Sequence, residues 1–487
     1  MAYRHGVYIS EQATSIVSTA DVDAGLPVVI GTAPGSNNEP TLVSSYNEAI
    51  QACGGYVGAG ADGLHSFTLC EFVKCYHVNS SLSQAILINI FDASKHVAES
   101  DNEAIAGQME GGKATIDTPK QAVLKSVKVG SNAVSESEYS VTYGAKSITI
   151  ERNSDATVLQ DDSEISVVTR DVDLSKVESK DITDAIAKID EIYPHFALVP
   201  GQILCPKYSV FPSIQAAMAS KANKLNGGTY SCVCLVDIAT FADKLNNGEL
   251  TEACTPATSY TAVAAAKSGA GATDKTQIVC WPLAKLGSEI YHLSTVAACT
   301  VCTTDADNEG IPYASPSNHA AKVNGACILK DGTSVVDVWM DQTNANTIDG
   351  NGVVTLLRRT AGWMLWGNNT GCYPGNTDVK DYFIPVRRMF SWVGNTLVNT
   401  FFQKVDAPLN KAHIERIRDS ANMWLNGLVG GGYLVAGRVE FNESENSAQS
   451  LMSGIAKFHV YLTPPSPNRE IDFVLEYDAT SYSAVFE

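Results

Sequence analysis

The stretch from Tyr433 to Glu487 constrains this chain more than any other. Tyr433-Leu434-Val435-Ala436-Gly437-Arg438-Val439-Glu440-Phe441 and Phe458-His459-Val460-Tyr461-Leu462 each read as a strand. The loop Thr463-Pro464-Pro465-Ser466-Pro467-Asn468 is too rich in proline to be helical. Glu470 to Tyr477 then alternates apolar and polar residues, which predicts a third strand. The three strands make a small sheet whose apolar residues include Val460, Leu462, Ile471, Phe473 and Leu475. Beyond it, Ser481-Tyr482-Ser483-Ala484-Val485-Phe486 is β-prone, and no turn signal folds it back.

The start of the chain has the same texture. Tyr3-Arg4-His5-Gly6-Val7-Tyr8-Ile9-Ser10 is extended and apolar, whereas termini are usually polar and frayed unless something holds them. Two such ends flanking a sheet point to exchange of edge strands between copies. The exchanging residues would be Tyr3, Val7, Tyr8 and Ile9 at one end and Tyr482, Ala484, Val485 and Phe486 at the other, with Val460, Leu462, Ile471, Phe473 and Leu475 in the accepting sheet. Addition of both ends to the chain's own sheet is the alternative that pattern alone leaves open.

A chain of 487 residues exceeds one compact core, and roughly three domains is the expectation from length. The net charge of -19 argues against nucleic acid as a partner, because phosphate binding needs clustered Lys and Arg. Residues 361–487 hold 10 Lys+Arg against 13 Asp+Glu, so the acid excess lies earlier. No apolar run reaches membrane-spanning length, the first residues lack a signal core, and no membrane contact is expected. Twelve cysteines scattered through apolar settings such as Tyr230-Ser231-Cys232-Val233-Cys234-Leu235 read as reduced, buried thiols of a protein made in a cytoplasm.

Along the chain, an apolar strand over Gly25 to Ala33 precedes helical patterns at Ser45 to Cys53 and Leu64 to Val78, and then the strand Ala85 to Ile90. This order indicates an α/β layer. From 94 to 174 short alternating strands divided by Gly, Ser and Asn predict an inserted all-β domain. The α/β texture resumes with helices at Asp181 to Ile192 and Ser213 to Leu225, and strands at Gly201 to Cys205, Ser231 to Asp237 and Gln277 to Trp281. Asp378 to Phe402, Ala407 to Leu425 and Ala448 to Gly454 read as helical. The fold class is α/β with α+β character. Its domains are a terminal arm at 1–20, an outer α/β domain in two parts at 21–93 and 175–360, the insertion at 94–174, a C-terminal domain at 361–478 and a second arm at 479–487.

Candidate chemistry is weak. Gly58-Ala59-Gly60-Ala61-Asp62-Gly63 has dinucleotide-loop spacing but follows a helical segment rather than a strand. Ser268 to Thr276 places Asp274 where a phosphate loop needs Gly. Cys299-Thr300-Val301-Cys302 has no second pair to complete a zinc site, and a calcium loop from Asp305 would end on Pro316. No nucleophile elbow occurs, and His413 reads as a solvated helical residue. No catalytic residue, metal or cofactor is assigned.

Several segments together resemble contractile tail sheath proteins of bacteriophages. Tyr3 to Glu11 resembles their opening arm, with His5 where many members carry Pro, and Gly310-Ile311-Pro312-Tyr313-Ala314-Ser315-Pro316-Ser317-Asn318 resembles their Pro-Ser-Asn turn. Gly350 to Thr355, Gly362 to Thr370, Asp381 to Arg388 and Thr463 to Tyr477 complete the likeness, which is weakest over 94–174. Sheaths of Mu-like or P2-like phages and of phage-tail-like bacteriocins are the members it most resembles.

The resemblance implies a helical homopolymer of stacked, six-membered rings around a tail tube. The arms of each copy complete other copies' C-terminal sheets, and contraction drives the tube through a host envelope. Partners would be the chain itself, the tube protein, and baseplate and tail terminator proteins, in a virion tail assembled in the bacterial host cytoplasm. A net gain of about 1 kcal/mol per hydrogen bond, over roughly five bonds, would hold each arm through rearrangement. The helical region Pro408 to Leu425, with Lys411, Arg416 and Arg418, is the expected tube contact. The rival readings are the sheath of a type VI or other injection apparatus, and an α/β enzyme with an inserted β domain.

Overall fold

The computed structural model of the chain describes residues 22–35 and 37–477. The terminal segments bearing Tyr3, Val7, Tyr8 and Ile9, and Tyr482, Ala484, Val485 and Phe486, lie outside the described residues.

The first α/β elements are β1 (Pro27–Gly31), β2 (Thr41–Val43), α1 (Tyr46–Ala52), α2 (Thr68–Val73) and β3 (Ala85–Asn89). After the insertion come α3 (Ser179–Ala187), β4 (Gln202–Leu204), α4 (Pro212–Asn223), β5 (Val233–Asp237), β6 (Gln277–Cys280) and α5 (Leu293–Ala306). These strands form one sheet in the order β6-β5-β4-β1-β3-β2, parallel apart from antiparallel β2. The chain winds outward from β1 in both directions, with helices on both faces. Burial on two faces is why these strands read as continuous apolar runs. Val28 and Ile30 face Ile182 and Ile186 of α3 and Ile214 and Met218 of α4. Val29, pointing the other way, joins Leu69 and Phe72 of α2 and Val296 and Cys299 of α5. Gly31 closes β1 because α2 starts against it: a Cβ there would lie 2.3 Å from Thr68 Oγ1.

The insertion consists of two antiparallel sheets within 105–171, packed on Met109, Ile116, Val127, Ile148, Ile150 and Val167. It docks on the α/β layer where Gly55, at φ +132, pairs with Tyr143; a side chain at Gly55 would strike the Tyr143 carbonyl at 2.2 Å. Pattern reading missed the hairpin of Lys244–Asn247 and Leu250–Ala253. It also left undivided a second antiparallel sheet built from Leu283–Leu286, Glu289–Tyr291, Gly325–Lys330 and Ser334–Asp337.

The C-terminal part contains α6 (Ile384–Phe401), α7 (Lys411–Gly430), β7 (Ala436–Glu440) and β8 (His459–Thr463). Asn410 caps α7 by accepting from the His413 N–H at 2.9 Å, and glycines 430–432 end the helix. His413 is buried, not solvated as its charged neighbours suggest, because it lies on the inward side of that first turn. The sheet here has two strands, not three. Among the described residues, 470–477 forms no strand and pairs with nothing, so Ile471, Phe473 and Leu475 are not members of the chain's own sheet. The reason is physical: Pro464, Pro465 and Pro467 remove three N–H donors and leave no tight turn that could return the chain onto β8.

Candidate assembly surface

Helix α6 holds the C-terminal part on the α/β layer through two separate faces. One carries Met389 and Val393 into a small core with Ala421, Leu425 and Leu428 of α7 and Val439 of β7. The other is polar and buried. Arg388 Nη1 donates to Asp305 Oδ1 at 2.8 Å, Nη2 donates to the second carboxylate oxygen, and Nη2 also reaches the Ala24 carbonyl at 3.1 Å. This pair is sealed from water at 4% and 3% exposure, a site where bidentate geometry is needed to offset desolvation. Asp305 is thereby committed to an ion pair and does not open a calcium loop. One turn on, Trp392 Nε1 donates to the Val22 carbonyl at 2.9 Å, and Asn395 exchanges two hydrogen bonds with the backbone of Ser231. The first described residues of the chain are thus held by α6.

The two-stranded sheet is covered unequally. Val439 of β7 is 4% exposed, whereas Val460 and Leu462 of β8, which face the same core, are half-buried. Asn422 of α7 donates to the Val439 carbonyl at 2.9 Å and accepts from the Val439 N–H at 2.7 Å, filling the edge of β7 as a neighbouring strand would. On the solvent face Arg438 lies 3.8 Å from the Tyr461 ring centre and bonds to Glu440 at 2.7 Å.

After Thr463 the chain runs over the surface beside Tyr313, Asp349 and Trp366 as far as Ile471. Pro464 is buried, Arg469 stands 5.8 Å from the ring centres of both Tyr373 and Phe383, and no hydrogen bond joins 464–477 to any other described residue. Ile471, Phe473, Val474, Leu475 and Tyr477 are all exposed, Phe473 at 81% and Leu475 at 94%. Contiguous exposed apolar side chains of this kind are uncommon on the surface of a soluble monomer. On α7, Lys411 is exposed and 3.9 Å from Glu415, Arg418 pairs with Asp419 at 2.8 Å, and Arg416 is exposed on the outer stripe with its Nε on the Ala412 carbonyl.

Elsewhere polar side chains serve the fold. Glu71 accepts from the His292 N–H at 2.7 Å and lies 2.8 Å from His292 Nδ1, while Asp237 accepts from the Ser294 N–H at 2.9 Å. Two buried carboxylates therefore cap the N-terminus of α5, where the helix dipole favours negative charge. Burial works against the charge of both partners, but for Glu71 and His292 the mutual attraction outweighs it. Glu71 is held below the usual carboxylate range and His292 above that of a free imidazole. Cys299 and Cys302 point into the core from α5, Cys299 Sγ lying 3.7 Å from Cys75 Sγ, and all twelve cysteines are free and buried. Among the described residues no cluster of His, Cys, Asp and Glu is arranged to hold a metal. The glycine loop at 58–63 closes on itself, Gly60 donating to the Leu64 carbonyl, and Asp274 accepts from Thr276 and Asn223.

No family model matches the chain. Over 502 aligned residues it is 23% identical to the tail sheath protein of Burkholderia phage BcepMu, spanning 97% of this chain and 96% of that protein. The fold matches the sheath of the extracellular contractile injection system PVC in its contracted state, with a TM-score of 0.59, 14% identity and 99% of both chains covered. The contracted helical sheath of the anti-feeding prophage matches at a TM-score of 0.56 and 14% identity, over 97% of this chain and 99% of that one. A sheath tail protein from Desulfitobacterium hafniense matches at 0.51 and 10% identity, over 90% and 93%. The mixed α/β architecture of the described residues is similar to that of these sheath proteins.

Proposed function

We propose that this chain is the structural subunit of a contractile tail sheath, a mechanical part of a phage tail and not a catalyst. The observation that carries the reading is the pairing of a two-stranded sheet, incompletely covered on β8, with an exposed apolar extension that no part of the same subunit receives. Each feature lacks what the other supplies, and a second copy supplies it. The C-terminal donor therefore begins near Glu470, earlier than residue 479, and Tyr482, Ala484, Val485 and Phe486 continue it. Tyr3, Val7, Tyr8 and Ile9 belong to the second arm, whose root is fixed on α6 by Arg388 and Trp392. Backbone pairing of this kind tolerates rotation of the donor's body, because the connecting segment makes no hydrogen bond to the rest of the described chain.

Rings of six copies stacked around a tube, a baseplate at one end and a terminator at the other complete the reading. Assembly would take place in the bacterial cytoplasm. Arg416, Arg418 and Lys411 would meet the tube from the outer face of α7. Energy for contraction would be the difference between two lattices of the same contacts, with no nucleotide required.

Purified protein should form tubes or rings in negative stain, and deletion of residues 1–12 should give a folded monomer that does not polymerise. Uniform monomers from the full chain, or normal tubes from the deletion, would contradict the reading. Reversing charge with R416E and R418E should abolish co-assembly with the tube protein while leaving sheath-only tubes intact. Unchanged co-assembly would remove α7 from the tube contact.

A further inference from the structure

Lys267, in the last turn of the helix Val263–Ala270, is only 6% exposed and has no ion-pair partner among the described residues. Its Nζ donates to the Asn351 carbonyl at 2.6 Å and to the Tyr373 carbonyl at 2.7 Å. An ammonium carries three N–H donors, whereas a neutral amine carries two and a lone pair. Two carbonyls therefore satisfy the neutral form in full, and the third N–H of the charged form finds no acceptor. Carbonyls also offset less of the cost of burying a charge than a carboxylate does. Burial accordingly pushes this amine down to about 8. Its surroundings admit a small molecule. Lys267 lines a cavity of 630 Å³ together with Ser268, Thr273, Lys275, Tyr373 and Asn376, within the range of about 300–1,000 Å³ that ligand pockets occupy. The two carboxylates on the cavity wall are engaged elsewhere: Asp274 accepts from Thr276 and Asn223, and Asp381 lies 3.4 Å from Arg387 Nη1.

We propose that Lys267 is a modification site, a nucleophilic amine that takes an acyl group from a small acyl phosphate entering this cavity. The nitrogen lone pair attacks the carbonyl carbon of the donor. A C–N bond forms, the C–O bond to phosphate breaks, phosphate leaves with the bonding pair, and the nitrogen releases one proton to solvent. The exposed Lys275, 3.9 Å from Asp381, offers a positive charge to the phosphate of the donor. The amide product keeps a single N–H, so one of the two bonds to Asn351 and Tyr373 is lost. Those bonds tie the helix to the turn at 350–352 and to the loop at 371–376, and acylation therefore loosens the subunit at this point. The inference stands apart from the sheath reading, since it rests on this cavity alone.

Acetyl phosphate is the probe, and the unmodified full chain is the protein. Acetylation of each lysine is followed in time by peptide mass spectrometry. At pH 7 an amine titrating at about 8 is about 9% neutral, against about 0.04% for an unperturbed lysine. Even with restricted access, Lys267 should react at least about tenfold faster than Lys120 and Lys411, whose side chains are 76% and 90% exposed. Protein unfolded in urea should lose the preference. Between pH 8.5 and 9.5 the rate at Lys267 should rise less than about twofold, because the amine is already largely neutral, whereas an unperturbed lysine gains about ninefold. Reaction at Lys267 no faster than at Lys120 and Lys411 in the folded protein would overturn the assignment. So would a preference that survives unfolding, or a ninefold rise at Lys267 across that pH unit.

Discussion

Glu71, His292 and Asp237 show how much of this protein's ionisable chemistry is committed to holding one buried helix in place. The signs of their shifts give a testable pH dependence. His292, raised above its unfolded value, stabilises fully below about pH 6.5, and that contribution is lost as pH rises through its native value. Glu71, lowered, stabilises above about pH 4.3 and loses that contribution as pH falls through its native value. The E71Q variant should therefore cost most between these limits, about 3–5 kcal/mol, as expected for breaking a buried pair, and progressively less in mild alkali. Thermal melts of the two proteins from pH 4 to 9 would show it, and a difference independent of pH would contradict the pairing. None of this was legible in the sequence, where Glu71 and His292 sit far apart in unremarkable surroundings. Asp305 is a related case: its local run begins like a calcium loop but ends on Pro316 without a closing carboxylate, and its real partner, Arg388, comes from the C-terminal part.

At the scale of elements, the strands of the parallel sheet were readable because burial on both faces leaves an unmistakable apolar run, and α6 and α7 because their length exceeds any local ambiguity. Short antiparallel strands such as Glu289–Tyr291 were not, since three residues carry no period. The most informative disagreement concerns 470–477. Alternation predicted a third strand there, but the segment forms none in the described chain, and alternation says nothing about whose sheet a segment would enter. Proline at 464, 465 and 467 was the available signal that it does not fold back. F473D or L475D should leave monomer stability within about 0.5 kcal/mol, because both side chains are solvent-exposed in the isolated subunit, yet should stop polymerisation. Chemical denaturation together with negative-stain counts of tubes checks both halves; a destabilised monomer would mean that the segment packs on its own subunit after all.

On the scale of the whole molecule, an α/β body carries an antiparallel insertion docked at Gly55 and a C-terminal part held by α6. The two chain ends issue from contrasting roots. Residues 22–26 are tied to α6 and to β4, the latter through Gly201 and Gln202, whereas 464–477 makes no hydrogen bond to the rest of the described chain. The likeness to contracted sheaths covers nearly the entire chain, insertion included, although the insertion was the part whose residues least resembled the family.

The central claim is that each subunit's sheet is finished by another subunit's extension. A cryo-EM reconstruction of assembled tubes at side-chain detail measures it directly. The account predicts continuous backbone pairing between β8 of one copy and 470–477 of a different copy, with Phe473 and Leu475 buried over α7. Density showing 470–477 paired within its own subunit, or left uncovered in the lattice, would contradict it.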